Sequence, residues 1–103
     1  MEQATGKWYG VIWNESGSDT RIDYPGADHT YPSGINESGY MVGCYVIGDD
    51  WHGFLRTPSG TFSQIDYPGA SWTCANGIND SGQIVGSYGD SSGSWHAFVD
   101  LSR

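Results

Sequence analysis

Positive charge, leucine and cysteine are all scarce in this sequence, and each shortage removes a class of protein. Four Lys and Arg stand against 12 Asp and Glu, a formal net charge of −8. That sign repels phosphate backbones and anionic headgroups, so neither nucleic acid nor a membrane surface is expected as a partner. The acids are scattered rather than blocked, and they read as turn residues and a solvated surface. Leucine occurs only at Leu55 and Leu101, Glu, Lys and Arg are few, and 16 residues are Gly. Nothing recurs at helical spacing, and Gly costs about 1 kcal/mol in a helix interior, so a helical fold is not expected. No apolar run is long enough to cross a bilayer as a helix. The opening from Met1 to Lys7 lacks the hydrophobic centre of a signal peptide, so the sequence carries no visible export signal. Two cysteines are too few for a disulfide framework.

Aromatic side chains and self-similarity are what the sequence has instead. Apolar residues make up only 37% of the chain, but aromatics make up 15% and supply much of the buriable surface. Ile22-Asp23-Tyr24-Pro25-Gly26-Ala27 returns as Ile65-Asp66-Tyr67-Pro68-Gly69-Ala70, and Gly34-Ile35-Asn36-Glu37-Ser38-Gly39 returns as Gly77-Ile78-Asn79-Asp80-Ser81-Gly82. Both offsets are 43 residues, and the same offset carries Trp8 onto Trp51, Gly10 onto Gly53 and Gly17 onto Gly60. Trp51-His52-Gly53-Phe54-Leu55 returns as Trp95-His96-Ala97-Phe98-Val99 at 44, after one inserted residue. Three motifs in one register mark a tandem repeat, which governs any reading of the fold.

Each unit reads as four short strands. In the central copy these run over Thr30–Asn36, Tyr40–Val46, Trp51–Arg56 and Thr61–Tyr67. Asn36-Glu37-Ser38-Gly39 and Asn79-Asp80-Ser81-Gly82 join the first strand to the second, with Asn entering the turn and Gly taking a left-handed conformation. Thr57-Pro58-Ser59-Gly60 joins the third to the fourth. Tyr-Pro-Gly-Ala then breaks the pattern, because Pro cannot donate to a ladder, and marks the crossing into the next unit. The chain is thus expected to be one repeat domain over residues 1–103: a partial unit 8–29, a full unit 30–72 and a partial unit 73–100. The expected fold is all-β, with tandem four-stranded antiparallel repeats forming propeller-like blades, or else a small β-sandwich or barrel.

Gly77-Ile78-Asn79-Asp80-Ser81-Gly82-Gln83-Ile84-Val85-Gly86-Ser87-Tyr88, the Trp95-His96-Ala97-Phe98 motif and Ile-Asp-Tyr-Pro-Gly-Ala resemble the bacterial HAF repeats, which occur in tandem in extracellular proteins. The resemblance runs from Trp8 onward. It implies a repetitive β architecture, propeller blades as the first candidate, and an extracellular location. It brings no catalytic residues. The N-terminal copy departs from the pattern, with Asp19 where Phe62 stands and Tyr9 where His52 stands. No Trp-Asp or Gly-Gly signature of the common propeller families is present.

The polar residues offer little catalysis. His52 and His96 share one repeat position and read as structural hydrogen-bonders. Asp28-His29 is half of an acid–base pair with no third partner placed by sequence. Asp23 and Asp66, before Tyr-Pro, are expected to accept backbone N–H groups in the crossing turn. Asp49, Asp50 and Asp90 lie between second and third strands without the spacing of a calcium loop, so no metal and no cofactor is expected. Cys44 aligns with Ser87 and Cys74 with Tyr31, which leaves either a Cys44–Cys74 bridge or two free half-buried thiols.

The aromatics divide in two. Tyr24/Tyr67, Tyr45/Tyr88 and Trp8/Trp51/Trp95 recur, and most are expected to pack in the core or between strands. The unrepeated Trp13, Tyr31, Tyr40 and Trp72 are free to bind, and they are the candidate ligand-binding residues. An exposed indole stacks on the apolar face of a sugar ring while Asp and Asn nearby take its hydroxyls. The expected function is a non-enzymatic module for binding or scaffolding, with a carbohydrate or a protein surface as ligand. A hydrolase with acidic residues in a central cleft and a purely structural self-assembling unit are the alternatives. The strand pattern begins and ends within a unit, so homo-oligomers that pair strands between chains are expected, closing a ring of about four or about six blades.

Overall fold

A computed structural model describes residues 7–13, 17 and 19–101. The opening segment read for an export signal lies outside the described residues except for Lys7. Among the described residues the chain is all-β, with nine strands and no helix. β1 (Gly10–Ile12) and β2 (Thr20–Ile22) form a two-stranded sheet. β3 (His29–Ile35), β4 (Met41–Ile47), β5 (Asp50–Arg56) and β6 (Phe62–Ile65) form a four-stranded meander. β7 (Trp72–Ile78), β8 (Ile84–Gly89) and β9 (Trp95–Asp100) form a third sheet of three strands. All pairings are antiparallel, and no sheet closes into a barrel among the described residues.

The expected strands of the central unit end within one residue of their places, with one exception. The fourth strand of the unit stops at Ile65 rather than Tyr67. The reason lies in the crossing turn, where the Tyr67 N–H donates to Thr73 Oγ1 at 3.0 Å instead of to a ladder. Tyr24 does the same to Thr30 Oγ1 at 2.9 Å, one unit earlier. The Asn-entry turns form as their residues dictate: Gly39 N–H donates to the Asn36 carbonyl at 3.1 Å and Gly82 N–H to Asn79 at 3.0 Å. Both glycines sit at positive φ, 91° and 84°, where a side chain is strained.

Alternation along the strands gives the four-stranded sheet two different faces. Met41, Tyr45 and Phe54, with Phe62 at their edge, pack with Ile12, Ile22 and Tyr24 of the first sheet and its exit. Val42, Leu55 and Ile65 face the other way and pack with Ala75, Ile78, Ile84 and Phe98 of the third sheet. The second cluster depends on β7, which lies across β3, β4 and β5. The backbones come unusually near there. A Cβ on Gly34 would stand 3.4 Å from Gly77 Cα, and one on Gly53 would stand 3.4 Å from the Ala75 nitrogen. Hydrogen bonds across the same junction join equivalent positions 43 residues apart: Asn36 Nδ2 donates to the Asn79 carbonyl at 3.1 Å, and Glu37 N–H to Asp80 Oδ1 at 2.9 Å.

Two glycines at contrasting sites test this packing. A Cβ on Gly43 would strike the Tyr31 carbonyl and lie 2.7 Å from Pro32 Cα and 2.8 Å from the Phe54 ring. A Cβ on Gly77 would meet only Val85 Cγ2, at an ordinary 3.5 Å. Gly43→Ala is therefore expected to destabilise by about 1–3 kcal/mol, as overpacked cores do. Gly77→Ala is expected to be neutral or to stabilise by about 0.5 kcal/mol through the unfolded chain. Urea unfolding of the two variants checks the contrast.

Candidate functional site

The aromatic residues converge where β7 meets the four-stranded sheet. Trp72 and Trp95 end up on one face of the third sheet because each stands opposite Gly89 in the strand register. Gly89 has no side chain to separate them, and a Cβ there would lie 2.6 Å from Trp72 Cδ1. The two indoles meet edge to face, 4.6 Å apart at 67°. Opposite them, Trp51 at the start of β5 stacks on Tyr31 of β3 at 5.5 Å and 16°. Between the two pairs lies an open groove of about 420 Å³, lined by Trp51, Trp72 and Trp95 together with Ser33, Cys44, Cys74, Asn76 and Ser87. No charged side chain is among those lining residues.

Of the residues singled out from the sequence, Trp72 lines this groove and Tyr31 braces it through Trp51. Tyr40 lies elsewhere, in a smaller hollow of about 280 Å³ beside the 36–39 and 79–82 turns, with Asn36, Ser38 and Asp80. Trp13 follows β1, 70% exposed, and lines neither hollow. The repeated tryptophans pack between strands, Trp51 on Tyr31 and Trp95 on Trp72. Trp51 and Trp95 are 39% and 75% exposed and belong to the groove, not the core. Their position carried a signal: Trp95 is the first residue of its strand and Trp51 the second, close after the hairpin turn. The repeated tyrosines divide. Tyr45 is buried and stacks on Tyr24 at 3.7 Å, whereas Tyr67, stacked on Tyr88 at 3.8 Å, is 40% exposed. Burial, with the hydrogen bond to Tyr24, pushes the Tyr45 hydroxyl above its ordinary value.

The polar residues serve the frame. Asp23 and Asp66 do not accept backbone N–H groups in the crossing turns, because Thr30 and Thr73 already take those donors. Asp66 instead holds His52 Nδ1 at 3.0 Å and accepts from Gln64. Asp23 pairs with Lys7 and Arg21 at 2.9 Å each, and Arg21 lies 4.2 Å over the Tyr9 ring that replaces a histidine. Asp28 and His29 have separate partners: Asp28 Oδ2 accepts Gly48 N–H at 2.7 Å, and His29 Nδ1 accepts Trp8 N–H at 3.0 Å. His96 lacks a fourth strand beside it and takes Asp90 Oδ2 at 2.7 Å. The cysteines are free thiols, Cys44 buried and Cys74 half-buried. No group of three or more metal-ligating side chains occurs among the described residues.

Neither family models, nor curated proteins, nor solved structures match this chain.

Asp90 is the most perturbed carboxylate. The Ser92 hydroxyl, then His96 and the Ser94 N–H hold it well below the usual carboxylate range. Its folded value is depressed, so the order it gives the 90–94 turn is present above the unfolded value and lost only as pH falls through the folded one. An NMR titration is expected to find Asp90 ionised at about pH 3, below the ordinary aspartate midpoint of about 3.9. Asp90→Asn should free the His96 ring and abolish that behaviour.

Proposed function

We propose that this chain is a binding module of the HAF-repeat type, its sheets acting as propeller-like blades, that takes a neutral carbohydrate in the groove between Trp51, Trp72 and Trp95. The observation that carries this reading is the convergence of three indoles on one hollow whose polar lining is hydroxyl and amide. A sugar ring offers C–H groups on its faces and hydroxyls around its rim. Indole faces suit the first, and Ser33, Asn76 and Ser87 suit the second. The volume, about 420 Å³, falls within the range of small-ligand sites. An uncharged lining in a chain of net charge −8 favours neutral over acidic glycans. Acid–base hydrolysis of a glycoside needs two carboxylates across the bond, and none lines the groove, which supports binding over turnover.

A glycan array followed by calorimetry tests this. Trp95→Ala, at the most exposed of the three indoles, is expected to weaken binding at least about tenfold, or 1.4 kcal/mol, with melting unchanged. Trp13→Ala, outside the groove, should leave affinity as it was. Equal losses from both, or turnover of a glycoside by the intact chain, would overturn the reading.

A specific observation also favours self-assembly. Val42 and Leu55, 0% and 7% exposed beneath β7, correspond to Val85 and Val99 on the third sheet, which are 47% and 58% exposed. The outer edge of β9 pairs with no strand among the described residues. This face and edge are where a second copy would join. Sedimentation velocity at micromolar concentration should show a homo-oligomer that Val85→Lys and Val99→Asp reduce to monomer. A folded wild-type monomer would rule this out.

A further inference from the structure

Cys44 and Cys74 come from different sheets and from positions that hold Tyr or Ser in the other copy, so the repeat alone does not require a sulfur at either. Yet they converge. Cys44 projects from β4 in register with Tyr31 and Gly53, on the face that β7 crosses. Cys74 sits within β7, next to Ala75, whose nitrogen is held close over Gly53. The backbones, not flexible side chains, therefore bring both cysteines to the same groove. That groove is open, so a small reagent can reach both thiols.

We propose that Cys44 and Cys74 form a reactive dithiol site whose substrate class is the low-molecular-weight disulfide. The Cys74 thiolate attacks one sulfur of the disulfide, forming a mixed disulfide and releasing one thiolate, which takes up a proton. Cys44 then gives up its proton and attacks the Cys74 sulfur. The Cys44–Cys74 bond forms as the second small thiolate leaves. Two thiols are oxidised by two electrons, and one disulfide is reduced to two thiols. The roles follow from access: Cys74 is half-buried and Cys44 buried, so the incoming disulfide reaches Cys74 first. The neighbouring thiol and burial both push the Cys44 thiol up, which keeps it protonated until it acts as the resolving sulfur. The product ties the four-stranded sheet to the third sheet. This inference is independent of the carbohydrate reading, since its test involves no sugar.

The test treats the native, reduced chain with oxidised glutathione and follows it by intact mass and non-reducing tryptic mapping. Arg56 lies between the two cysteines, so peptides 22–56 and 57–103 stay joined only through the new bond. The expected product has lost two hydrogens and retains no glutathione. Cys44→Ser should accumulate glutathione on Cys74, while Cys74→Ser reacts at least about tenfold more slowly, as the lost thiolate requires. Closing the loop between the sheets should raise Tm by roughly 10 °C. Glutathione on both cysteines without a cross-link, or thiols that react only in denaturant, would overturn the proposal.

Discussion

The near contact of backbone on backbone where β7 crosses the four-stranded sheet is the constraint on which the rest of the molecule depends. A Cβ on Gly34 would stand 3.4 Å from Gly77 Cα, and one on Gly53 would stand 3.4 Å from the Ala75 nitrogen, so β7 lies directly on the four-stranded sheet there. That closeness lets small residues of β7 seal Val42 and Leu55, and these form the second of the two cores. It also explains why the register-matched bonds from Asn36 to Asn79 and from Glu37 to Asp80 form at all. Both are exposed and individually modest, about 1 kcal/mol in net terms, so they align the layers while burial binds them.

The same crossing makes the groove. Because β7 covers only part of the four-stranded face, Trp51, Tyr31 and Ser33 remain open on one side of it. Trp72, Trp95, Asn76 and Ser87 stand on the other. Cys44 and Cys74 are brought together at the same junction. Core, groove and dithiol are therefore three consequences of one packing geometry, and a change that moves β7 is expected to disturb all three together.

Much of the fold was legible because it rests on local chemistry. Asn-x-x-Gly turns, Pro in the crossing segment and alternation along the strands are decided within a few residues, so the four strands of the central unit appear close to where the sequence puts them. The fourth strand of the central unit was read too long because the hydroxyl that captures the Tyr67 N–H belongs to Thr73, six residues on and in another sheet. The binding residues were legible only in half. Trp72 stood out for lacking a counterpart, but that criterion also selected Trp13 and Tyr40, which lie apart from the groove. It passed over Trp51 and Trp95, since recurrence was taken as a sign of packing in the core or between strands. Recurrence marks an equivalent place in a unit, and that place can be at a strand end in solvent.

By itself the sequence determined the repeat length, the all-β character, the turns and the two-faced alternation of each strand. All of these follow from backbone preferences and periodicity along a single segment. Only the tertiary structure decided which face of each sheet is covered, which aromatic rings meet, and that two unrepeated cysteines line one groove. Those outcomes depend on how one sheet lies across another. That placement rests on the close approach of β7 at Gly34 and Gly53, positions whose importance is invisible until the layers that approach them are known.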